Sequence, residues 1–186
     1  MSTQRRGTDR YYETALQILD EEGYGGLKLA TVCSRLSVTT GAFYHSFRSW
    51  GAFTRGLLDY WHTERTTRLI ALMAAEADPF ARLQMLLETS TALPHRAEAA
   101  IRVWADIDPD AARVVRKVDA ERLAVVRATF AAILPDSETE SFSRAALYLV
   151  IGYQFAGELQ STEALARSLN LLIERASIAS MSTRSS

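Results

Sequence analysis

The sequence predicts an all-α chain of about nine helices, with a three-helix N-terminal domain and a larger helical C-terminal one. Three observations carry this. Apolar residues recur at spacings of three and four, and not two, along almost every segment. The breakers fall between those runs, with Asp-Pro pairs at 78–79 and 108–109 where helices should begin. Two short runs, Leu29–Leu36 and Thr40–Ser46, are joined by only three residues, which are the dimensions of a helix-turn-helix.

The first helix is expected over about Thr8–Glu22, where Tyr12, Ala15, Leu16 and Leu19 share a face and Gly23 stands in the position that ends it. The second puts Leu29, Val32, Cys33 and Leu36 on one face, and the third follows from Thr40 to Ser46. A long fourth covers about Trp50–Glu76. In "ADPFARL" and "DIDPDAARVV" the Asp is an N-cap and the Pro has its φ preset for the first turn, so helices start at Asp78 and Asp108. Ser137 and Glu140 have capping-box spacing, which opens a helix over about Ser137–Gln160 carrying Tyr148, Ile151, Gly152, Phe155 and Leu159. Ser161 begins the last, with Leu165, Leu169, Leu172 and Ala176 on one face. The tail "SIASMSTRSS" is too poor in apolar residues for order far past Ala179.

Composition removes several classes of function. With 186 residues, 48% of them hydrophobic, the chain has material for one or two domains and a sizeable core. It holds no run of about 18 uncharged apolar residues, and "MSTQRRG" begins no signal peptide, so a cytoplasmic protein without a membrane partner is expected. A single cysteine and three histidines allow no internal disulfide and no tetrahedral zinc site, and no metal or cofactor is expected. Cys33 reads as a small buried residue. Ser/His/Asp order, H-E-x-x-H and a nucleophile elbow are all missing, so no catalytic residues are assigned. Asp106, Asp108 and Asp110 suit the positive end of one helix better than a metal site. Net charge is -1, yet the first 50 residues hold six Lys+Arg against five Asp+Glu. Three of those acids cluster at Asp20, Glu21 and Glu22, which leaves the stretches Arg5–Arg10 and Lys28–Arg48 locally basic.

The stretch "SVTTGAFYHSF" carries the functional reading. Leu29, Val32, Cys33, Leu36, Val38, Phe43 and Phe47 form a small core, and Thr39, Thr40, Gly41, Ala42, Tyr44 and His45 are left outside. Those outer residues are short or hydrogen-bonding, as a helix pressed into a major groove requires. Gly41 costs about 1 kcal/mol relative to Ala inside a helix, and a close backbone approach to DNA would compensate.

In the residues Ala15, Gly23, Tyr24, Leu29, Val32, Val38, Thr39, Gly41, Phe43, Tyr44, Phe47 and Ser49, the region from Arg10 to about Leu58 resembles the DNA-binding domain of the tetracycline-repressor (TetR) family of transcriptional regulators. The resemblance implies a DNA-binding domain over residues 1–50 and an effector-binding and dimerisation domain over residues 51–186. It implies a homodimer on a double-stranded operator, released by a small hydrophobic effector. Carried over by position, Thr40, Gly41 and Ala42 meet base edges, and Thr39, Tyr44 and His45 meet phosphates. Lys28 and Arg48 are the flanking cations of that surface. Three positions depart from the family pattern: Lys28 replaces the usual Ser or Thr cap, Ser37 the turn glycine, and Trp50 a lysine.

In the second domain the candidate effector contacts are the aromatic residues Trp61, Phe80, Trp104, Tyr148 and Phe155, with His62 and Arg102 as polar partners. Gly152, Leu165, Leu169 and Leu172 are the candidate dimer contacts, on the last two helices, which are expected to form a four-helix bundle with their mates. The rival reading is a helical ligand carrier or small enzyme whose helix-turn-helix no longer binds DNA.

Overall fold

The structure is a computed structural model that describes residues 2–184, with side chains from Gly7 to Ser180. The described residues are helical, without a strand: α1 Ser2–Glu22, α2 Leu29–Leu36, α3 Thr40–Ser46, α4 Trp50–His62, α5 Arg68–Ala75, α6 Pro79–Thr91, α7 His95–Ala105, α8 Pro109–Ala131, α9 Asp136–Gln154 and α10 Thr162–Arg184. A π turn, Thr63–Thr67, joins α4 to α5 without a break, so the expected long fourth helix exists with one widened turn in it. Counting that run as one helix gives nine among the described residues.

Local chemistry accounts for most of the boundaries. Gly23 takes φ +69 and its N–H donates to Leu19 O at 3.1 Å, which closes α1. Asp78 accepts the N–H groups of Phe80 and Ala81 at 3.3 and 3.1 Å, with Pro79 in the first turn. Asp108 does the same for Asp110 and Ala111 at 2.9 and 3.0 Å. These bonds, the one to Ala111 first, hold the Asp108 carboxyl below its ordinary value. Ser161 Oγ accepts the N–H of Ala164 at 3.2 Å and so caps α10.

Elsewhere the structure departs from the sequence expectations. The Ser137/Glu140 capping box does not form. Helix α9 starts one residue earlier, behind Pro135, and Glu140 pairs with Arg144 at 2.6 Å and with Arg127 at 3.5 Å. Two cations outbid a single backbone N–H for that carboxylate. Helix α9 also ends at Gln154, short of Gln160, because Gly157 at φ +56 leads into a separate 3-10 turn, Gly157–Leu159. At the other extreme α10 continues to Arg184, past the expected end near Ala179, and Ser185 and Ser186 lie outside the described residues.

The chain divides into two compact units, one of residues 1–65 and 94–117, the other of residues 66–93 and 118–186. The first is built on aromatic rings. Tyr11 and Tyr12 of α1 meet Phe47 with ring centroids 5.3 and 5.7 Å apart, and Phe43, Phe47 and Phe53 lie 5.0–5.2 Å from one another. Gly56 is needed here, since a Cβ would fall 2.2 Å from Tyr12 Oη. Helix α7 packs on α1 in the same unit, where Asp20 accepts the N–H of Ala97 and Arg96 donates to the Glu21 carbonyl, each at 3.2 Å. The second unit holds two apolar clusters, one of Leu83, Phe130, Leu134 and Ala176, the other of Leu87, Val150, Leu165 and Leu169.

Candidate nucleic-acid interface

Helices α2 and α3 have the expected bounds, and their termini show why. Lys28 stands at the α2 N-cap with extended backbone and no side-chain bond to the helix, so the usual cap is absent there. Ser37, in place of a turn glycine, takes the left-handed conformation at φ 55, ψ 41. A non-glycine residue there costs about 1 kcal/mol, and the turn holds because Ser37 N–H donates to Ser34 O at 3.1 Å and Val38 N–H to Cys33 O at 3.0 Å. Thr39 caps α3, its Oγ1 accepting the N–H of Ala42 at 3.1 Å. Ser49 caps α4 in the same way through Ala52 at 3.0 Å.

The resulting helix has two distinct faces. Phe43 and Phe47 are buried, as are Val32, Cys33 and Leu36 of α2. Thr39, Thr40, Gly41, Ala42, Tyr44, His45 and Arg48 are all exposed, as is Lys28. Each residue read as a DNA contact from Thr39 to Arg48 is thus open to solvent. A Cβ built on Gly41 meets nothing closer than Thr39 Oγ1 at 3.8 Å. Packing within the chain therefore gives no reason for a glycine at that position. Trp50 is half-buried and turned inward, its ring 5.0 Å from Phe53 and 5.9 Å from Phe43 of α3.

The residues read as effector contacts divide between the two units. Trp61 and Trp104 are buried in the first unit, with Trp61 Nε1 donating to the buried Glu98 at 2.8 Å and Trp104 stacked on Tyr24 at 5.4 Å. Both indoles are core there, and His62 and Arg102 are half-buried in the same unit. Phe80, Tyr148 and Phe155 belong to the second unit and are exposed. A cavity of about 430 Å³ in the first unit, lined by Glu13, Asp20, Tyr60 and Glu64 among others, includes none of the seven. It is acidic in character: burial, then Glu13 and Glu64, push the Tyr60 phenol up to about 12.

The dimer set separates too. Leu165 and Leu169 face Leu87 and Val150 of their own chain, while Leu172 is half-buried and Gly152 is exposed. The apolar side chains left outside on these last elements are Tyr148, Phe155, Leu159, Leu171 and Ile178. Sequence reasoning also missed Arg35, which binds both Glu21 and Glu22 at 2.6 Å. A pairing across 13 residues leaves no local spacing signal.

Residues 12–50 match the family described as bacterial regulatory proteins, tetR family. The helix-turn-helix domain is of the TetR family. No curated protein matches the chain. The TetR-like architecture extends beyond that domain in solved structures. A putative transcriptional regulator from Saccharomonospora viridis, in complex with choline, superposes with TM-score 0.77 at 16% identity, over 91% of this chain and 96% of that one. A TetR transcription regulator from Haloarcula marismortui gives 0.71 at 20% identity, over 98% of each chain. The reduced form of NemR from E. coli gives 0.71 at 19% identity, over 89% and 94%. The whole chain thus has the all-α fold of TetR-type regulators. No described helix is long and apolar enough to cross a membrane.

Proposed function

We propose that this protein is a homodimeric repressor that binds a double-stranded DNA operator through α3 and is released by a small hydrophobic effector. In this reading residues 1–50 bind DNA, and residues 51–186 hold the effector and the partner. The single observation that carries it is Gly41, an exposed glycine in the first turn of α3 that no neighbour in the chain requires. Its cost of about 1 kcal/mol calls for a compensation from outside, and a duplex groove against the backbone supplies one. Thr40, Gly41 and Ala42 read base edges, while Thr39, Tyr44, His45, Lys28 and Arg48 meet phosphates. Choline in the Saccharomonospora viridis regulator supports a small-molecule effector for a protein of this fold.

The test is selection of binding sites from random duplexes, followed by titration of the selected sequence. The expected result is a two-fold-related site with half-sites about one helical turn, 34–36 Å, apart. Gly41→Leu should weaken that complex roughly tenfold or more, about 1.4 kcal/mol, with circular dichroism unchanged. Failure to select any sequence would favour a ligand carrier, and an unaffected Gly41→Leu variant would move the DNA contact away from α3.

A further inference from the structure

Arg35 sits in the last turn of α2, and its guanidinium reaches back to the last two residues of α1, with Nη1 2.6 Å from Glu21 Oε2 and Nη2 2.6 Å from Glu22 Oε1. The chain between them is shaped for this contact. Gly23 reverses the backbone at positive φ, and the 3-10 turn Tyr24–Gly26 passes under the Glu22 side chain. A Cβ on Gly26 would lie 2.4 Å from Glu22 Cβ and 2.8 Å from Glu22 Oε2. Glu22 can stand where it does only because residue 26 has no side chain. Two carboxylates on one cation also leave the group with no positive charge to offer, although the sequence count places Arg35 on the basic face.

We propose that Glu21, Glu22 and Arg35 form a clamp that fixes α2, and through it α3, against α1, so that Arg35 is a positioning residue and not a phosphate contact. Helix α2 packs on both α1 and α3, so its setting is passed to the recognition helix. The clamp itself stands on geometry alone; its effect on recognition rests on the DNA-binding reading above. A single exposed ion pair does little, but one planar guanidinium shared by two carboxylates and seated by a glycine is a network with one geometry.

The full chain is tested as wild type, Arg35→Gln, Glu22→Gln and Gly26→Ala. Without DNA, hydrogen exchange of the α2 and α3 amides should be about three- to tenfold faster in each variant, while α9 and α10 are unaffected. Unchanged exchange in all three overturns the clamp, whatever happens with DNA. On DNA, Arg35→Gln and Glu22→Gln should each lower the ratio of operator to random affinity, although one removes a cation and the other an anion. The salt dependence of Arg35→Gln should match wild type. A slope of log K against log salt shallower by about 0.9 per protomer would make Arg35 a phosphate contact and overturn the assignment. If wild type selects no DNA sequence, the DNA reading fails and the exchange measurement alone decides the clamp.

Discussion

Trp50 occupies a position where the TetR family commonly has a lysine, and two accounts of it lead to opposite experiments. If a phosphate contact were missing, Trp50→Lys would tighten binding to operator and random DNA alike and steepen the salt slope. The ring positions favour the other account. Trp50 is half-buried against Phe53 and Phe43, and Phe43 is the buried residue of α3 itself. Aromatic pairs of this kind contribute about 0.5–1.5 kcal/mol each beyond their burial. Trp50→Lys is therefore expected to unfold at lower temperature, by roughly 4–8 °C per kcal/mol lost in a unit of this size, and to bind operator more weakly. Thermal melts and titrations at several salt concentrations check this, and unchanged stability with a steeper salt slope would restore the missing-contact account. At this scale the outer face of α3 was legible in the sequence, because a short helix with Phe43 and Phe47 on one side has little choice about the other. Arg35, Glu21 and Gly26 were not, because their relation exists only after the chain turns at Gly23.

Helix boundaries set by a residue's own backbone were likewise readable, and those set by competition were not. Asp78-Pro79 and Asp108-Pro109 cap their helices as expected, whereas Glu140 abandons its capping box for two arginines that sequence spacing does not rank. The π turn at Thr63–Thr67 interrupts no apolar stripe, and Thr66 within it is buried with its Oγ1 accepting from Arg122 Nε at 3.2 Å. A partner 56 residues away cannot be seen in a window of eighteen. The Asp108 cap also makes a pH-dependent prediction. Its folded-state pKa is depressed, so its stabilisation is present above the ordinary carboxylate range and is lost as pH falls through the depressed value. Asp108→Ala should cost about 1 kcal/mol near neutrality and progressively less in acid, where wild type loses the same contribution. Denaturant melts of both proteins between neutral and acidic pH check this, and a cost that stays constant with pH would mean that the carboxylate charge is irrelevant to the cap.

For the whole molecule the open choice is which apolar side chains face a partner. Helical periodicity in α10 identified Leu165 and Leu169 as one stripe, but a stripe does not say whether its own chain or a second copy covers it. Their own chain does: they pack with Leu87 and Val150 and are 4% and 6% exposed. The side chains left uncovered are Tyr148 on α9 and Phe155 just past its end, 61% and 56% exposed, which stand either side of Gly152 in the chain, with Leu171 and Ile178 exposed on α10. Gly152 has open space at its missing Cβ, so it is available for close approach by another helix. The proposed dimer therefore uses this exposed set, and two substitutions separate it from the core. Combined Tyr148→Glu and Phe155→Glu should give monomers in sedimentation velocity with helical content retained, because a charge in an apolar interface is costly only when the partner arrives. Leu169→Glu should instead lose cooperative unfolding within the protomer, by roughly 2–5 kcal/mol, since it places a charge in a closed cluster. A Tyr148/Phe155 variant that remains dimeric would put the interface on another surface, and a fully folded Leu169→Glu monomer would return α10 to the partner.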